Sequence, residues 1–235
     1  MNRTERNRAP QPPSSWRVAL RAIVLTAALL AATASLSGCG QFLGWFGALF
    51  ITHEKVPPAF EPPKDRKVLV FVDDPYYRVE YEPLKGLLTE GIVSRLEKNE
   101  VAREFVSYDK LLNLMDATPD FNRMRVSQVG SRLGADYVIY VQVESFSLRD
   151  GEENPLWHGK LKTSVRVVGA DGERLWPKDR GREGHPVKEL DMPEVQDASP
   201  TYGAELSRIM ADIMADRIAK LFYEHEIPLQ DVGIQ

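Results

Sequence analysis

The chain of 235 residues contains one cysteine, Cys39. It cannot close an internal disulfide, so any exported domain must hold together by its core. Its four histidines, His53, His158, His185 and His225, are scattered, with no i, i+4 pair and no HExxH. The spacing therefore proposes no metal site. There is no Gly-x-Ser-x-Gly elbow and no phosphate-cradling glycine loop, so no catalytic residue and no cofactor are expected. Internal repeats and low-complexity tracts are also missing. Positive charge is in deficit, and the net charge is −4. Residues 1–38 carry five arginines against one glutamate, or +4, which leaves −8 on the remainder of the chain. An acidic remainder repels phosphate backbones, so nucleic acid is not an expected partner.

Charge is absent altogether from Ala22 to Thr52, behind Arg3, Arg6, Arg8, Arg17 and Arg21. A basic start, an apolar run and small residues are the marks of a secretory signal, and the arginines keep that end in the cytoplasm. The run contains Leu36-Ser37-Gly38-Cys39, which resembles the lipobox of bacterial lipoprotein precursors. The resemblance implies cleavage after Gly38 and lipidation of Cys39 by a diacylglycerol and an amide-linked fatty acid such as palmitate. Several acyl chains hold a protein on a membrane stably, where one holds it marginally. The other reading is an uncut signal anchor, since the uncharged run is long enough to span a bilayer. Gly38, Gly40, Gly44 and Gly47 weaken such a continuous helix. Both readings place the rest outside the cytoplasm on a membrane tether. Gly40 after the cysteine, in place of a retaining aspartate, points to the outer membrane and a periplasmic domain.

The expected organisation is a signal peptide over 1–38, a tether and proline-rich linker over 39–66, a globular domain over 67–227, and a tail over 228–235. The apolar stretch 41–51 lies either in the headgroup layer or on the domain. Pro57, Pro58, Pro62 and Pro63 favour an extended, semi-rigid spacer. Lys67–Val72 reads as a strand buried on both faces. Leu84, Leu87, Leu88, Ile92, Val93 and Leu96 have helical spacing, with Arg95, Glu97 and Lys98 on the far side and Asn99 as a stop. A second strand over 103–107 and a short helix over 109–115 follow. The spacing predicts another helix over 125–133, closed by Gly134. The strongest strand covers 136–144, and 145–148 reverses its phase, which predicts a bulge. Leu161, Thr163, Val165 and Val167 alternate with Lys160, Lys162, Ser164 and Arg166, the pattern of a sheet with one face covered and one wet. Asp171-Gly172 is a hairpin signal into a return strand at 173–176. Residues 177–199 read as a loop with an edge strand near Val187. Ser199-Pro200 opens the last helix, whose apolar stripe runs through Tyr202, Leu206, Ile209, Met210, Ile213, Met214, Ile218, Leu221 and Phe222. The expected fold is α/β (α+β), a mixed sheet of about four to six strands with helices packed mainly on one face.

Leu133-Gly134-Ala135-Asp136-Tyr137-Val138-Ile139 resembles the step into a central strand in a group of bacterial envelope lipoproteins. The hairpin from Val165 to Val168 and from Asp171 to Trp176 is similar to theirs as well. The group includes the curli secretion lipoprotein, the outer-membrane activators of penicillin-binding proteins and the amino-terminal domain of TolB. The resemblance implies helices on one side of a sheet, no enzymatic chemistry, and work by docking to partners, with oligomers admitted. The chain lacks the spare pair of alternating ten-residue strands that a pore would need.

Three candidate sites follow from the residues. Asp73 and Asp74, with Glu80 and Glu82 nearby, could offer oxygen ligands to a cation or form a solvated turn before Pro75. Tyr76, Tyr77 and Tyr81 suit a protein interface or the domain's own edge. Gln142, Glu144, Lys160, Lys162 and Arg166 form a polar face for docking or for solvent. The expected function is a non-catalytic protein-binding, assembly or activator module. The alternatives are a small-ligand carrier, which a large apolar pocket would favour, and an envelope hydrolase, which a convergent acid/base pair would favour.

Overall fold

The computed structural model describes residues 53–79, 81–151, 154–180, 183–197, 199 and 201–228. Cys39, Gly38, the stretch 41–51, Glu80 and the tail from 229 lie outside them. The described residues belong to one compact unit that begins at Glu54, with His53 at its boundary.

The frame of the domain is β2 (Lys67–Asp73), and the sequence reading of it holds. Val68, Val70 and Val72 enter one core while Leu69 and Phe71 enter a second on the opposite face. A strand covered on both faces needs no polar alternation, which explains its unbroken apolar run. β2 pairs in parallel with β3 (Glu104–Phe105) on one side and β4 (Tyr137–Ser147) on the other. β4 then pairs antiparallel with β5 (Lys160–Gly169), and β5 with β6 (Arg174–Trp176). Two short strands, β7 (His185–Pro186) and β8 (Leu190–Asp191), also pair with β5. The main sheet is thus mixed and seven-stranded. The register of β4 on β5 shifts between Val143 and Ser145, the bulge that the phase reversal predicts.

Two long helices lie on one face. The first, α1 (Pro83–Lys98), starts on proline and buries Leu84, Leu88, Ile92 and Leu96 at steps of four. Asn99 ends it, its Nδ2 donating to the Arg95 carbonyl at 2.8 Å. Two shorter helices, α2 (Tyr108–Ala117) and α3 (Val126–Arg132), cover part of the opposite face through Leu111 and Val129. Gly134 closes α3 at φ +69°. Ala135 N–H donates to Gly130 O at 2.9 Å and Gly134 N–H to Ser131 O at 3.2 Å, the paired bonds of a Schellman cap.

The last helix, α4 (Tyr202–Ala219), differs from its sequence reading in two respects. It starts beyond Ser199-Pro200, with Thr201 as N-cap and no side-chain capping bond. The Ser199 hydroxyl turns instead to the Thr201 hydroxyl at 2.9 Å. Its buried face is Leu206, Ser207, Met210, Ala211, Met214, Ala215, Ile218 and Ala219, while Ile209 is 43% exposed. The reason is α1. A Cβ built on Gly91 would lie 2.9 Å from the Ala215 Cβ, so the two helices meet through small residues. That contact turns the alanines inward and Ile209 outward. Arg95, expected on the solvent side, crosses the same seam to Asp212 Oδ1 at 2.7 Å.

The wet face of β5 is also more covered than its alternation suggests. Ser164 is buried, and a Cβ on Gly184 would stand 3.0 Å from its own Cβ, so the loop before β7 crosses over it. Finally, β1 (His53–Val56) and β9 (His225–Pro228) form a separate two-stranded sheet that no local pattern announces. Beyond β1, the Phe60 N–H donates to Leu221 O at 3.1 Å, and its ring sits edge-on to Phe222 at 6.5 Å. The proline-bearing stretch expected as a spacer is therefore docked on the domain at Phe60.

Candidate functional site

The order of the parallel strands reverses at β2, with β3 on one side and β4 on the other. Crevices at the carboxyl ends of such strands are where open α/β sheets bind ligands. A cavity of about 810 Å³ opens there, on the face that carries α2 and α3. Phe71, Phe121 and Tyr140 form its floor, and Asp73, Asp74, Lys85, Arg125, Arg166 and Asp171 bring charge of both signs to its wall.

Each polar group is placed by a strand end or a turn. Asp73 is the last residue of β2, and its Oδ2 accepts the Tyr140 hydroxyl at 2.6 Å. Burial, and then the neighbouring Asp73 carboxylate, push the Tyr140 phenol far above its ordinary pKa. The Arg166 guanidinium lies over the Tyr140 ring at 4.3 Å. Asp74 is only 8% exposed. Its Oδ2 accepts the Val79 N–H at 2.7 Å, while its Oδ1 has no hydrogen-bond partner among the described residues. A buried carboxylate oxygen left without a donor is costly.

Tyr77 stands at the mouth, 80% exposed. Its backbone is left-handed at φ +52°, and its N–H donates to Asp74 O at 3.2 Å. Its hydroxyl accepts from Asn122 Nδ2 at 3.0 Å, which ties the loop after β2 to the 3₁₀ turn Phe121–Arg123.

Of the residues that the sequence singles out, Asp73, Asp74, Tyr77 and Arg166 meet at this cavity. Tyr76 is 60% exposed and lies under the Arg78 guanidinium at 4.8 Å. Tyr81 separates from the other two tyrosines and packs half-buried against the α1–α4 core. Lys162 pairs with Glu144 at 3.2 Å. Lys160 is at the start of β5, paired with Asp150 at 2.7 Å. Asp73 and Asp74 each bind a separate donor, and the two carboxylates are not joined into one oxygen cage.

Lys85, Asn122 and Arg125 have no signal in the sequence as site residues, because lone polar residues in turns and helix ends carry no period, and Asp171 is marked there only as a hairpin turn. A cluster of Asp150, His158, Asp191 and Glu194 lies at the other end of β5, with no motif in the sequence to announce it. His158 is 8 residues from Asp150 and 33 from Asp191, with Glu194 three residues further on, so no carboxylate stands at helical ligand spacing from the histidine.

No protein-family model matches the chain, and no curated protein sequence does so either. Among solved structures, it is similar to the PelC dodecamer from Paraburkholderia phytofirmans, with 13% identity, a TM-score of 0.40, and coverage of 74% of this chain and 99% of that one. Lipoprotein GNA1162 from Neisseria meningitidis gives 12% identity and a TM-score of 0.38, covering 66% of this chain and 99% of that one. The LpoB C-terminal domain from Salmonella enterica gives 18% identity and a TM-score of 0.32, covering 58% and 86% respectively. Likeness at this level assigns no function.

Proposed function

We propose that the chain is a bacterial cell-envelope lipoprotein, tethered through Cys39, whose domain binds a protein partner without catalysing a reaction. The observation that carries the tether is Leu36-Ser37-Gly38-Cys39 within an uncharged run behind five arginines. The outer membrane is the proposed anchor site, with the domain in the periplasm. Mass spectrometry of the membrane fraction tests this. An acylated amino-terminal Cys39 is expected, and a chain beginning at residue 1 would contradict it. Cys39→Ala should release the domain or leave it uncut.

The docking face we assign is the mouth of the β2 cavity. Tyr76 and Tyr77 are exposed large aromatics beside Arg78 and Arg166, and tyrosine and arginine dominate the energetics of interfaces. A photo-reactive residue at Tyr77 should give one discrete crosslinked product in intact cells, lost when Arg166→Ala is added. The same residue at Ile209 on α4 is the control. Equal crosslinking from both positions would sink the assignment.

One observation favours a second reading, a small-ligand carrier. Asp74, one of whose carboxylate oxygens has no hydrogen-bond partner among the described residues, lines the same cavity. The charged lining calls for a polar ligand that donates a hydrogen bond, in place of an apolar one. Native mass spectrometry of the purified chain would show a small molecule retained by the wild type and lost from Asp74→Asn.

A further inference from the structure

We propose that Asp150, His158 and Glu194 form a binding site for a divalent first-row metal ion of the Zn²⁺ class, which clips the β4–β5 connection to the segment after β8. The site is remote from the docking face and independent of the lipid anchor.

Three stretches of chain converge there. Asp150 follows β4, His158 precedes β5, and Asp191 ends β8 with Glu194 three residues beyond. Backbone bonds fix all three. His158 N–H donates to Leu148 O at 2.8 Å and Met192 N–H to Gly159 O at 2.9 Å. Trp157 and Val195 exchange N–H···O bonds of 2.9 Å in both directions. The side chains therefore start from positions set by the sheet, the condition for a preorganised site.

The imidazole, 15% exposed, is flanked on both sides. Its Nε2 is 2.6 Å from Asp191 Oδ1. Its Nδ1 is 2.5 Å from Asp150 Oδ2 and 3.8 Å from Glu194 Oε1. A neutral imidazole has one N–H to give. If Nε2–H goes to Asp191, the Nδ1 lone pair and two carboxylate oxygens face each other, all within 4.8 Å and with no donor among them. Such a point takes either a proton on Nδ1 or a metal cation. One ring nitrogen and two carboxylate oxygens, each about 2.0–2.2 Å from the ion, make a three-ligand zinc set with a place left for water.

The surroundings supply what ligands of this kind need. A metal-bound histidine gives its other N–H to a carboxylate, and ligating carboxylates are themselves hydrogen-bonded. Asp191 does the first. Lys160 does the second, with its Nζ 2.7 Å from Asp150 Oδ1. Three carboxylates around the ring meet this one ammonium, so two further positive charges balance the cluster, where a proton on His158 supplies only one.

The test is calorimetric titration of ZnCl₂ into the full chain in detergent after chelator treatment. Saturable binding of one ion per chain is expected, with a rise in thermal midpoint. Glu194→Gln and His158→Gln should each weaken it by roughly tenfold or more, and Asp191→Asn should do so through the ring orientation. Lys162→Gln, on the same strand, is the control and should bind as the wild type. Glu194 is half-exposed, so its variant keeps the fold and the test decisive if His158→Gln does not. Absence of saturable binding, meaning that a proton alone occupies the point, would overturn the proposal. So would an affinity that neither Glu194→Gln nor His158→Gln changes, which would mark an adventitious ion only.

Discussion

Gly91 and Ala215 stand where α1 and α4 approach each other, and a methyl group on Gly91 would lie 2.9 Å from the Ala215 Cβ. The separation of the two long helices is set by this pair of small residues. Gly91→Val should therefore destabilise the domain by about 1–3 kcal/mol through overpacking. Gly91→Ala costs less, because alanine recovers about 1 kcal/mol of helix propensity. Urea unfolding of both variants checks the order. A Gly91→Val protein as stable as the wild type would mean that the seam can open freely.

Phe60 joins the proline-bearing segment to the core, with rings of Trp176 at 6.2 Å and Phe222 at 6.5 Å around it. Phe60→Ala should release residues 54–66 while α4 and the main sheet remain folded. Limited proteolysis should then cut within that segment sooner, with little change in the circular dichroism of the domain. Unchanged cleavage would show that the β1–β9 pairing alone holds it.

Tyr140→Phe removes the hydroxyl given to Asp73 but leaves the ring edge-on to Phe71 at 5.5 Å. A hydrogen bond to a charged group contributes about 1.5–3 kcal/mol, so a loss in that range is expected from equilibrium unfolding. The buried Tyr140 phenol should also stay protonated well above the ordinary tyrosine range, which absorbance titration of the wild type against Tyr140→Phe would resolve.

His185 stacks on Trp176 at 4.7 Å. Burial first, and then Arg180, hold its pKa below the usual 6.5. Above that value the ring is neutral whether the chain is folded or unfolded, and its contribution to stability is constant. As pH falls below 6.5, the unfolded chain takes up a proton that the folded one resists, and stability declines until folded His185 protonates too. His185→Gln should show a smaller loss of stability between pH 7.5 and pH 5 than the wild type, both values being about one unit or more from 6.5. Identical slopes in the two proteins would exclude His185 as the source.

Where the physics is local, the sequence was legible. The apolar run of β2, the four-residue steps of α1, the glycine cap of α3, the bulge in β4 and the Asp171-Gly172 hairpin each depend on neighbours within a few positions. Part of the candidate site was legible for the same reason: strand ends bearing Asp73, Asp74 and Tyr77 announce a loop. Burial of one Asp74 oxygen was not, since it depends on what packs over the loop.

By itself, then, the sequence determined the periods, the stops and the cysteine within the uncharged run, because these are properties of short stretches. Only the tertiary structure decided that α4 turns its alanines to α1 and Ile209 to solvent, that β1 finds β9, and that His158 meets Asp150, Asp191 and Glu194. Each of these is a contact between residues far apart in the chain. Its geometry is fixed by packing around the whole sheet, and local periodicity carries no information about it.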